Sequence, residues 1–163
     1  MDNTYIPYQE SYPNLEKALE GGAKIHIFRS GGGLRVVRLE KEEKLVSYGE
    51  YPYFAGAMKH AENDFGMDYK AQYSGTHSKH THYLTGAYPM AHDIIDSYIF
   101  CGKTLDVFYS KNWNKFVCVT TTTKIDRDEN EIIWGSGTSI LYAISACFTS
   151  FNFEDKDVFM SRV

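Results

Sequence analysis

A pattern that occurs twice sets the strongest limit on how this chain folds. Lys24-Ile25-His26-Ile27-Phe28-Arg29-Ser30 matches Thr104-Leu105-Asp106-Val107-Phe108-Tyr109-Ser110 in pattern. A polar turn follows in each copy, Gly31-Gly32-Gly33 or Lys111-Asn112-Trp113-Asn114. Next comes an apolar run, Leu34 to Leu39 or Phe116 to Val119, and a charged turn. Each copy closes on an aromatic-glycine pair, Tyr48-Gly49 or Trp134-Gly135, and a segment with helical apolar spacing. With those glycines in register, Ala57 matches Ala143, Ala61 matches Cys147 and Phe65 matches Phe151.

The expected fold class is therefore α+β. It is an internal duplication of an α-β-β-β-α unit, with antiparallel three-stranded sheets and helices on one face. The expected segments are an N-terminal arm (1–12), a first repeat (13–66), a Tyr/His-rich loop (67–89), a second repeat (90–152) and a C-terminal tail (153–163), all in one compact domain. Pro13 suits the first turn of a short helix bearing Leu15 and Leu19, and Gly21-Gly22 stops it. Gly49 and Pro52 are expected to break the third strand and open the second helix, which carries Phe54, Ala57, Met58 and Ala61 on one face. In the second repeat Ile94, Ile95, Tyr98 and Ile99 mark a helix, and Ile140, Leu141, Ile144 and Phe148 mark the last one, with Thr138 as its expected cap. Both first strands carry apolar residues on both sides. The face away from the helices is thus expected to be covered, by the other half or by a second chain. Phe28 and Phe108 make that face a candidate for homo-oligomer contact.

The order of elements in each unit is similar to that of the double-stranded-RNA-binding domain. That family places basic residues at the start of its last helix. Here those positions read Tyr51-Pro52-Tyr53 and Ser136-Gly137-Thr138, with Lys59 nearby, so the resemblance does not extend to the function. A formal charge of −4 also argues against a general grip on extended nucleic acid. Hydrophobic residues make up 43% of the chain, enough for a core. Three scattered cysteines, Cys101, Cys118 and Cys147, read as buried thiols in a reducing compartment. No apolar run is long enough to span a membrane, and the first residues do not resemble a signal peptide, so a cytoplasmic protein is expected.

Thirteen tyrosines point to contact surfaces with polar tips. The expected ligand-binding residues are Tyr69, Lys70, Tyr73, His77, His80, His82 and Tyr83 in the loop, with Arg29, Arg35 and Arg38 as anion contacts. His80-x-His82 on extended chain would put two imidazoles on one side, and His77 offers a third ligand, so a metal or a histidine-based hydrolase or phosphodiesterase is the alternative. Gly31-Gly32-Gly33 and Gly135-Ser136-Gly137 offer bare amides to an anion, against plain roles in a turn and a cap. No coherent catalytic set and no cofactor motif emerges. The leading reading is a non-enzymatic protein that binds or sequesters a small anionic or nucleotide-like ligand or a host protein, of the kind a mobile element or phage encodes as an accessory inhibitor. A structural oligomerisation subunit is the third reading.

Overall fold

In the computed structural model the described residues are 12–64, 89–121, 130–149 and 152–163. They form five helices and one antiparallel sheet of seven strands. The elements run α1 (Pro13–Glu20), β1 (Lys24–Arg29), β2 (Arg35–Lys41), β3 (Lys44–Tyr51), α2 (Phe54–Glu62), α3 (Pro89–Phe100), β4 (Leu105–Ser110), β5 (Lys115–Thr121), β6 (Glu131–Gly137), α4 (Ile140–Thr149), β7 (Asn152–Asp155) and α5 (Lys156–Arg162). The strand order is β3-β2-β1-β4-β5-β6-β7.

The expected pair of three-stranded sheets is instead one continuous sheet. The two sets of three strands meet edge to edge, through β1 against β4, rather than face to face. Ile25 lies opposite Val107, His26 opposite Asp106 and Ile27 opposite Leu105. This closes the inner edges of both sets, which would otherwise expose unpaired backbone groups. The outer edge of β3 is also protected, because the Tyr48 amide donates to Asp64 Oδ2 at 2.8 Å.

Alternation along the strands sends Ile25, Ile27, Val37, Leu39, Leu105, Val107, Phe116 and Cys118 to one face, where they form the main core with α1, α2, α3 and α4. β3 does not stop at Gly49. It runs on to Tyr51, and Gly49 pairs with Val37 in mid-sheet. The glycine is there for packing: a Cβ would lie on the Ala57 carbonyl and 2.6 Å from the Ala61 amide of α2. Gly135 does the same under α4, where a Cβ would lie 2.6 Å from the Cys147 Cα. Turn chemistry also matches between the halves. Ser30 Oγ accepts from Leu34 N at 3.2 Å, and Ser110 Oγ from Trp113 N at 3.1 Å.

The segment read as a tail supplies both β7 and α5. The short α5 lies on the opposite sheet face, so the helices do not all share one side. Phe159, fully buried, stacks on Trp134 with ring centres 4.7 Å apart and meets Trp113 edge-on at 5.5 Å. Val117, Val119 and Ile132 complete this second cluster, and Phe108 packs against it. Part of the face that carries Phe108 is thus covered by α5 of the same chain.

Helix N-termini leave backbone amides unpaired, and at α1, α2 and α4 carboxylates from neighbouring helices accept from one or two of them. Asp96 of α3 accepts from Phe54 N at 3.0 Å. Glu62 of α2 accepts from Asn14 N at 2.8 Å and Leu15 N at 3.0 Å. Glu16 of α1 accepts from Ile140 N at 3.0 Å, where Thr138 was the expected cap; Ser139 Oγ takes Tyr142 N at 3.2 Å. The relay α3 to α2 to α1 to α4 ties all four core helices together.

Candidate functional site

The outer sheet face carries a lateral row that crosses every strand: Tyr48, Arg38, His26, Asp106, Val119, Trp134, Asn152. Its second half is roofed by α5. Between that helix and the sheet centre lies a cleft of about 400 Å³, within the size range of small-molecule sites. Lys24, His26 and Glu40 line it from β1 and β2, Asp106 and Phe108 from β4, and Lys156 and Met160 from α5. Lys156 and Met160 share one side of α5 by their spacing of four, while Phe159 takes the side that enters the core.

His26 Nδ1 is hydrogen-bonded to Asp106 Oδ1. The side chains keep 47% and 53% of their exposure, so the pair meets solvent in the cleft. Asp106 fixes one ring nitrogen and leaves Nε2 without a partner among the described residues. Phe28 flanks the ring, with centres 5.5 Å apart. Arg38, opposite His26 on β2, is held by Glu40 at 2.8 Å. Lys24 and Lys156 are exposed and form no ion pair among the described residues.

The three arginines expected to bind an anion do not come together. Arg35 points to the helix side, where Nε and Nη2 both reach Asp96 at 2.8 Å and the side chain is about one-tenth exposed. Arg29 donates to the Phe100 carbonyl at 2.9 Å, and both guanidinium groups lie about 5 Å from the Phe100 ring centre. Only Arg38 stands on the outer face beside the cleft. Tyr69, Lys70, Tyr73, His77, His80, His82 and Tyr83, and with them the metal and hydrolase readings, lie outside the described residues. Among the described residues no cluster of three His, Cys, Asp or Glu side chains is placed to hold a metal, and no helix is long and apolar enough to cross a membrane.

Cys118 and Cys147 are buried and Cys101 is exposed. Burial, with Cys147 adjacent, pushes the Cys118 thiol well above its ordinary range and keeps it protonated. Glu62 and Glu16 are raised chiefly by burial, only partly offset by the amides they accept from. Asp64 is also raised by burial.

Sequence reasoning missed Lys156 and gave Met160 no part in a site, because the tail showed too little pattern to be placed over the sheet. It did contain a pointer to the dyad. The repeat register matched His26 with Asp106, and only their meeting across an antiparallel seam went unseen. Comparison of the chain with protein-family models, with curated proteins and with solved structures gave no match.

Proposed function

We propose that this chain is a binding protein, and that it takes a small nucleotide-like ligand into the cleft between the outer sheet face and α5. The observation that carries this reading is the lining. Two ammonium groups without an ion-pair partner among the described residues, Lys24 and Lys156, stand beside the apolar surfaces of Phe108, Val119 and Met160. That combination suits a molecule with an anionic group and a flat or apolar body. The dyad alone supplies neither a nucleophile nor an oxyanion site, so binding is favoured over catalysis.

The same proposal includes a duplicated origin for the scaffold. Its support is the matched packing of Gly49 under α2 and Gly135 under α4, together with the mirrored strand orders β3-β2-β1 and β4-β5-β6. On this reading the cleft sits where the copies join, so neither half could build it alone. A cytosolic accessory role, as a sequestering protein, is consistent with such a site.

A thermal-shift screen against nucleotides, cyclic nucleotides and nucleic acids tests the reading. We expect a nucleotide to raise the melting temperature, and the Lys24→Glu/Lys156→Glu variant to lose that response while melting like the parent, since both lysines are exposed. If nothing in the screen shifts melting while a protein co-purifies in stoichiometric amount, the small-molecule reading falls.

A further inference from the structure

The charges around His26 narrow the ligand class, and this step rests on the binding reading above. His26 is faced by Lys24 on its own strand, Arg38 and Glu40 on β2, Asp106 on β4 and Lys156 on α5. Arg38 is committed to Glu40, and Asp106 to His26 Nδ1. With the imidazole neutral, three cations among the described residues face two carboxylates, which leaves one net positive charge. A proton on Nε2 makes it two. A ligand that brings two negative charges on one compact group offsets that charge and also holds a proton on Nε2, whereas a singly charged one leaves the imidazole nothing to hold. A phosphate monoester brings two, carrying about −1.5 to −2 near neutral pH. A carboxylate or a phosphodiester brings one.

We propose that the cleft is a phosphate-monoester site, and that His26 takes up a proton as the ligand binds. Asp106 is a positioning residue. It accepts from Nδ1–H and so directs Nε2 into the cleft, where the protonated nitrogen donates to a phosphate oxygen. Lys24 and Lys156 donate to the same group from the sheet and from α5. Phe108 and Met160 receive the organic part.

Isothermal titration of the full chain at about pH 7.5, where a phosphate monoester is mainly dianionic, tests this. The probes are adenosine 5′-monophosphate, the cyclic 3′,5′-diester and adenosine, each in two buffers of different ionisation enthalpy. The expected result is one-to-one binding of the monoester with net proton uptake, and binding of the diester and nucleoside weaker by about tenfold or more. His26→Gln should abolish the proton uptake and weaken the monoester by about tenfold, with unchanged melting. Monoester binding without proton uptake overturns the role given to His26, a diester that binds as tightly overturns the phosphate assignment, and either result leaves the ligand-binding reading standing. Folded wild-type chain that binds none of these probes, and responds to nothing in the thermal screen, overturns both.

Discussion

A methyl group added at Gly49 has nowhere to go. It would meet the Ala57 carbonyl and the Ala61 amide, both backbone atoms of a helix that cannot retreat without opening the core. Gly49→Ala is expected to cost about 3 kcal/mol or more in urea denaturation. Gly31→Ala, with nothing within 4 Å of the new atom, should change stability by less than about 0.5 kcal/mol. At this scale the sequence was informative in an indirect way. The aromatic-glycine pair was conspicuous enough to register the repeat, but glycine suggested a strand break, whereas it permits a close helix on an unbroken strand. The arginines illustrate the opposite problem. Nothing local announces that Arg35 is taken by Asp96, which lies 61 positions away and also caps α2.

Most elements were visible because their apolar spacing is strong. The six longer strands and four longer helices begin close to where alternation and helical periodicity put them, although β3 and β6 run on through their glycines. β7 and α5, of four and seven residues, are too short for either period to be recognised. Yet α5 carries one of the two walls of the cleft. Its hold on the sheet depends on Phe159, seated between Trp113 and Trp134. Phe159→Ala is expected to cost about 3–5 kcal/mol, read by chemical denaturation. Tryptophan emission should shift to the red as both indoles gain water. A variant with native emission and native stability would show that α5 does not dock as described.

At the scale of the whole molecule, the carboxylate relay makes stability respond to pH in an uncommon direction. Glu16 and Glu62 have folded pKa values raised above their unfolded ones, chiefly by burial. The folded chain therefore binds these protons more tightly than the unfolded chain does. Their contribution is fully present below the unfolded carboxylate range, near pH 4.5, and is lost as pH rises through the raised folded values. Urea midpoints measured from about pH 4.5 upward should carry this downward component. The Glu16→Gln/Glu62→Gln variant should be less stable overall, because it weakens two caps, but flatter across that window. A variant with an unchanged pH slope would place the linkage elsewhere.

The overall layout was only half legible for a related reason. Periodicity says which side of a strand is apolar, not which strand lies beside it. β1 meets β4 at three paired positions, against six between β1 and β2 and five between β4 and β5. The sheet is thus narrowest at its own midline, and the cleft straddles that line with His26 on one bank and Asp106 on the other. Anything lodged there works as a bolt through a hinge plate, stiffening two blocks that otherwise share little backbone.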